Sequence, residues 1–396
     1  MTLEQRWEAV MMPNYGTPPI ALDRGAGVRV WDTDGREYLD FVGGIAVSSL
    51  GHAHPAIVAA VRDQVSRVAH TSNLAIHEPG VQLAERLVAL LGLPGRVFFA
   101  NSGAEANECA IKLARKHGRL LDPAGGRLQI VAARGSFHGR TLGALAITGN
   151  PAKREPFEPL PGPVSFVEFG DVHGLRAAVT DRTAAVFVEP TLGEGGVLPA
   201  PVGYLQAARD ACDATGALLV VDEVQSGIGR TGNWFASLAE GVRPDVITLA
   251  KGLGGGLPIG ACIGLGPAGE LFAPGDHGST FGGNPVSCAA ALAVLDTIAE
   301  DELLEQVKRV GAYLAHELAG LDSPLVQGSR GGGLWQALVL SGTHAATIEA
   351  AARRNGLLVN AVKPDVIRVA PPLILTEADV EEAMPLLSRA LDEVAG

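Results

Sequence analysis

The sequence predicts an α/β protein: a large central domain around a mostly parallel sheet, with a smaller α+β domain assembled from both chain ends. Three observations carry this. Between about residues 80 and 300, short apolar runs alternate with helical patterns; two period-2 strands precede that stretch; and the strands and helices after it no longer alternate regularly. The expected division is 1–79 and 301–396 for the small domain and 80–300 for the large one.

The elements follow in order. VRVWDTDGREYLDF (28–41) reads as two alternating strands joined by a turn at Asp32 to Gly35. The runs RVFFA (96–100), LQIVA (128–132), AAVFVEP (184–190), ALLVV (217–221) and DVITLA (245–250) have the near-continuous hydrophobicity of strands buried on both faces. After Glu300 come an amphipathic helix, strands at LWQALVL (334–340), LLVN (357–360) and VIRVA (366–370), and a last helix from Thr376.

Composition removes several classes of function. A chain of 396 residues can bury a sizeable core, and no apolar run approaches the roughly 20 residues that span a bilayer. The N-terminus, MTLEQRWEAVMM, lacks an apolar core of the secretory type, so a cytoplasmic enzyme is expected. A formal net charge of −12 opposes a nucleic-acid surface. Cys109, Cys212, Cys262 and Cys288 form no C-x-x-C pair and are expected as reduced thiols packed like small hydrophobes. His52 and His54 in GHAHP have no carboxylate cluster beside them, and no metal site is expected.

ALLVVDEVQSGIGRTG (217–232) points two ways. Its Gly227, Gly229 and Gly232 fit G-x-G-x-x-G, but DEVQS separates them from the strand and no long crossover helix follows, so a dinucleotide is disfavoured. The other hint is Asp222, a carboxylate at the end of a buried strand, with Lys251 at the end of the next strand and GLGGG after it. Ligands of parallel sheets bind at these strand ends. Taken singly, Asp222 could cap a turn and Lys251 could point to solvent.

NSGAEANECAIKLARKHG (101–118) adds a third element. Ser102 and Glu105 have capping-box spacing, and Ala106, Ala110, Leu113, Ala114 and His117 form a helical stripe. Small residues at Gly103 and Ala104 leave the first backbone N–H groups open to a phosphate. A phosphate cradle, an aspartate and a lysine at neighbouring strand ends suit pyridoxal phosphate. The lysine forms a Schiff base with the aldehyde, and the carboxylate keeps the pyridine nitrogen protonated. At an effective dielectric near 20 such a pair is worth about 4 kcal/mol.

These motifs, with NYGTPP (14–19), LDFVGGIAV (39–47), FHGRT (137–141), GEGG (193–196), AKGLGGGLPIG (250–260), HGSTFGGNP (277–285) and VIRVAPPL (366–373), resemble the class III aminotransferases of the fold-type I pyridoxal-phosphate family over nearly the whole chain. The resemblance implies that Lys251 is the Schiff-base lysine and proton carrier, Asp222 the partner of the ring nitrogen, and Gln225 the donor to the phenolic oxygen. It places Phe137, beside His138, and Val224 on opposite ring faces, and Ser102, Gly103 and Ala104 at the phosphate. Thr280 reaches the phosphate of a neighbouring subunit, making the active unit a homodimer. Arg140 grips the carboxylate remote from the reacting amine, Arg368 grips an α-carboxylate, Glu194 masks Arg368 when none is present, and Ser279 joins the substrate site.

The implied activity is transfer of the terminal amine of N2-acetyl-L-ornithine to 2-oxoglutarate, in arginine biosynthesis, ping-pong through pyridoxamine phosphate. Alternatives are a related transaminase of ornithine, succinylornithine or an acyl-diaminopimelate, and an aminomutase; outside the family stand a nicotinamide dehydrogenase and a non-catalytic binding protein. Ala75, Ile76 and His77 after HTSNL, and Trp335, depart from the family pattern and leave the acyl preference open.

Overall fold

In the computed structural model, which describes residues 1–396, seven strands form the central sheet. In spatial order they are Gly95–Ala100, Gly260–Leu265, Val246–Leu249, Leu218–Asp222, Thr183–Val188, Gln129–Ala133 and Val164–Val167. All run parallel except Gly260–Leu265, which is antiparallel to both neighbours. All five expected runs form strands. Val164–Val167 and Gly260–Leu265 were not anticipated: the first is a four-residue edge strand and the second is punctuated by glycines at 260 and 264.

Period-2 geometry explains how the sheet aims its chemistry. Leu218 and Val220 pack in the cluster that contains Ala106, Ala110 and Leu113 of the helix Gly103–Leu121, whereas Leu219 and Val221 pack with Leu205 and Ala208 of the helix Tyr204–Thr215. Asp222 is two residues beyond Val220, so it shares the face of the Gly103–Leu121 helix. On the next strand Val246 belongs to that same face, and Thr248 follows it there.

The chain ends meet. Leu357–Leu358 pairs in parallel with Glu37–Asp40, joining the C-terminal part to the sheet formed by Leu22–Ala26, Arg29–Asp32 and Glu37–Asp40. A second four-stranded sheet contains Val326–Gly332, Trp335–Leu340, Val366–Val369 and Asn360–Lys363 in that order. A core of 47 buried residues runs between these sheets and helices Pro285–Glu300, Leu303–Ala319 and Glu377–Ala395. The expected boundary at 79/80 falls within the first turn of helix Glu78–Leu91.

Two expectations need correction. LLVN is not one strand: it breaks at buried Val359, and Leu357–Leu358 and Asn360–Lys363 serve different sheets. The capping box at Ser102 is only half formed. Ser102 Oγ accepts from Glu105 N at 3.2 Å, but Glu105 Oε2 accepts from Asn101 N and Nδ2 instead of closing on Ser102 N. The Gly227, Gly229 and Gly232 turn opens no helix. All four cysteines are free and buried; burial pushes the Cys212 and Cys288 thiols up to about 12. His52 Nε2 lies 2.8 Å from Asp40 Oδ2 in a local tie beneath the N-terminal sheet.

Candidate active site

A cavity of about 470 Å³ opens at the carboxyl ends of the parallel strands. It gathers Ser102, Gly103, Ala104, Phe137, His138, Arg140, Glu194, Asp222, Val224, Gln225 and Lys251, residues that come from five separate parts of the chain.

The aspartate at the Leu218–Asp222 strand end is held from three sides. Val224 N donates to Oδ1 at 3.0 Å, while Asn107 Nδ2 at 2.7 Å and His138 Nδ1 at 2.8 Å both meet Oδ2. Asn107 cannot flip without loss, because its Oδ1 accepts from Thr248 Oγ1 at 2.9 Å and its Nδ2 also donates to His138 O at 2.8 Å. Burial opposes charge on His138, but Asp222, with help from Glu189, outweighs it and raises the imidazole above its ordinary range. Asp222 therefore does turn-capping work as well as facing the cavity.

Lys251 follows the strand Val246–Leu249 and opens the turn Lys251–Gly254 at φ +43, a left-handed conformation strained for a residue with a side chain. Burial, then the nearby Arg368, lowers its ammonium to about 8 against the opposing pull of Asp222, Glu194 and Glu189. An ammonium that gives up its proton more readily than a free lysine is what a nucleophilic lysine needs.

Gly103 is needed for close approach: a Cβ there would meet Val224 Cγ1 at 2.7 Å. With Ser102 as N-cap, the Gly103 and Ala104 N–H groups start the helix without intrahelical partners and face the cavity. Gln225 Nε2 and His138 Nε2 are buried without hydrogen-bond partners. An anion-ready helix start, an orphaned amide donor, a buried carboxylate and a lowered lysine fit a phosphorylated pyridine aldehyde.

The substrate side holds two arginines in different states. Arg140 is exposed at the cavity wall, 5.7 Å from the Phe137 ring centroid, and makes no ion pair. Arg368 is 3 % exposed and sits behind Glu194, whose Oε1 accepts from Nη1 at 3.1 Å. Burial pushes the Glu194 carboxyl up, but Arg368 and Lys153 together hold it below its usual range. Ser279 and Thr280 do not line this cavity. Ser279 Oγ accepts from Gly282 N at 2.9 Å and Asn101 Nδ2 at 3.4 Å, and Thr280 is exposed outside.

Sequence reasoning missed Asn107, Lys153, Asn360 and Glu189. Asn107 is a 1 % exposed amide beside an apolar helical stripe, and Glu189 follows the strand Thr183–Val188 as Asp222 ends its own. Glu189 Oε1 accepts from Phe137 N at 2.8 Å, and burial drives its carboxyl up against the pull of His138.

A strand-end cavity with this lysine and aspartate has the donor set of a fold-type I pyridoxal-phosphate enzyme. The chain belongs to the class-III aminotransferase family, whose model matches residues 10–391. It is 56% identical over 395 residues to the acetylornithine aminotransferase of Mycolicibacterium smegmatis, covering 100% of this chain and 99% of that one. It is also 56% identical over 394 residues to that of Streptomyces coelicolor, covering 99% and 96%. Among solved structures, the ornithine aminotransferase of Toxoplasma gondii superposes with a TM-score of 0.94 at 31% identity, covering 100% of this chain and 96% of that one. The acetylornithine aminotransferase of Elizabethkingia anophelis gives 0.87 at 32%, covering 98% of each. The family and its structural neighbours imply pyridoxal 5′-phosphate as the cofactor.

Proposed function

We propose that the protein moves the terminal amine of N2-acetyl-L-ornithine to 2-oxoglutarate, giving the semialdehyde and glutamate. The observation that carries this is a cavity lined by Arg140, which is open, and by Glu194, behind which Arg368 is held in an ion pair. Both substrates offer a carboxylate remote from the reacting amine, for Arg140; only glutamate and 2-oxoglutarate offer one beside it, for Arg368. Planar guanidinium forks suit both. A masked second arginine favours an external dicarboxylate partner over an internal amine shift. The full-length similarity to acetylornithine aminotransferases supports the acyl assignment.

Bound pyridoxal phosphate supplies the aldehyde that accepts the amine and the ring that withdraws electrons from the adjacent carbon. The Gly103 and Ala104 N–H groups and Ser102 would hold its phosphate, Val224 and Phe137 its ring faces, Gln225 Nε2 its phenolic oxygen. Asp222, braced by Asn107 and His138, would keep the ring nitrogen protonated. Lys251 Nζ would take the proton from the donor carbon that carries the amine and, in the second half-reaction, deliver one to the acceptor carbon that receives it. Glu194 neutralises Arg368 while the acylated substrate is bound.

The active unit is a cytoplasmic homodimer. Thr280 lies beside Phe281, 60% exposed, and Leu74 and Ile76 are 96% and 91% exposed, a patch an interface would cover. Asn73 Nδ2 ties the two loops by donating to Ser279 O at 3.3 Å and Gly282 O at 3.2 Å. No helix is long and apolar enough to cross a membrane. The test is a comparison of amine donors: kcat/KM with 2-oxoglutarate should be highest for N2-acetyl-L-ornithine. A preference for ornithine, succinylornithine or an acyl-diaminopimelate would replace the acyl assignment.

A further inference from the structure

Glu194 is shared between two cations. Its Oε1 accepts from Arg368 Nη1 at 3.1 Å, and its Oε2 lies 3.3 Å from Lys153 Nζ. The partners differ in freedom. Arg368 is fixed from behind: Nη2 donates to Asn360 Oδ1 at 2.7 Å, and Asn360 is its register partner on the adjoining strand. Glu194 stands in a loop between Gly193 and Gly195, with its side chain 30% exposed; that of Arg368 is 4% exposed. The carboxylate is the member able to move. Lys153 Nζ sits 4.8 Å from the ring centroid of Phe137, which lines the cavity, an aromatic seat that keeps the ammonium in place when the carboxylate turns away.

We propose that Lys153 is the second seat of the Glu194 carboxylate and thereby a specificity-determining positioning residue. When a substrate carboxylate takes Arg368, Glu194 is retained by Lys153, so two carboxylates face two cations. When no such carboxylate is present, Glu194 bridges both. Without Lys153 the displaced Glu194 would be left partly desolvated and unpaired beside an incoming anion, which disfavours binding of that anion. A partly exposed lysine pair is weak enough to let Glu194 return. The inference rests on the two-arginine reading above.

The test uses the holoenzyme and two inert probes, with dissociation constants read by spectral titration. Glutarate presents two carboxylates; N2-acetyl-L-norvaline is N2-acetyl-L-ornithine without its terminal amine. Lys153→Met should weaken glutarate binding about fivefold and leave acetylnorvaline within about twofold, with Lys153→Arg restoring glutarate binding. In a Glu194→Gln background Lys153→Met should add no further loss, since the neutral amide has no charge to reseat. Lys153→Gln serves in place of the methionine variant if the latter does not fold. Equal weakening of both probes, unchanged glutarate binding, or an undiminished loss in the Glu194→Gln background would overturn the proposal. Failure of wild-type turnover with N2-acetyl-L-ornithine, with the glutarate pattern intact, would instead remove the substrate assignment alone.

Discussion

Replacing Lys251 with methionine should stabilise the cofactor-free protein at neutral pH. Burial and Arg368 lower this ammonium from 10.5 to about 8. At about 1.4 kcal/mol per pH unit, that drop corresponds to about 3 kcal/mol of stability sacrificed to hold a charge in the cavity. The sign follows from proton counting. With the folded pKa below the unfolded one, the unfolded chain binds more protons between pH 8 and 10.5, so this group's contribution to stability rises with pH across that window. Below pH 8 the full penalty is present. Methionine keeps the unbranched stem without the charge. Urea unfolding of the cofactor-free wild type and Lys251→Met should differ by about 3 kcal/mol at pH 7 in favour of the variant, the gap narrowing toward pH 10.5. A less stable variant at pH 7, or a gap independent of pH, would refute the reasoning that burial governs this lysine.

Asp222→Ala should cripple turnover far more than cofactor affinity, because the Gly103 and Ala104 N–H groups proposed to hold the phosphate remain; steady-state rates alongside cofactor titration check this, and near wild-type turnover would remove Asp222 from the mechanism. Glu194→Gln should spare or speed the glutamate half-reaction and slow the acetylornithine one, whereas Arg368→Ala should chiefly damage the glutamate half; truncating one partner of such a buried pair typically costs about 2 to 5 kcal/mol, and single-turnover absorbance resolves the halves. Arg140→Ala should weaken both substrates, since both offer the remote carboxylate; a loss confined to one of them would contradict its placement.

Much of the site was legible because charge at the end of a buried strand is conspicuous. Asp222, Lys251 and Arg368 each interrupt an apolar run, and the runs fix the period-2 face on which Asp222 meets Asn107. Glu189 bears the same signature but had no partner in the sequence to give it a role; only the fold brings it to Phe137 N. Lys153 lies in a short helix, Pro151–Arg154, 41 residues before the glutamate it pairs with, and no local pattern encodes that contact. Strand Gly260–Leu265 escaped because glycines at 260 and 264 interrupt its apolar run, although it is wholly buried between two strands. The split of LLVN depends on which sheets lie on either side of Val359, a tertiary matter that periodicity does not contain.

The most direct measurement follows the transferred nitrogen. With holoenzyme, 2-oxoglutarate and N2-acetyl-L-ornithine labelled with heavy nitrogen at its terminal amine, the label should appear in the α-amine of glutamate, and Lys251→Ala should abolish the transfer. Unlabelled glutamate, or label retained in an isomerised donor with no glutamate formed, would contradict the account.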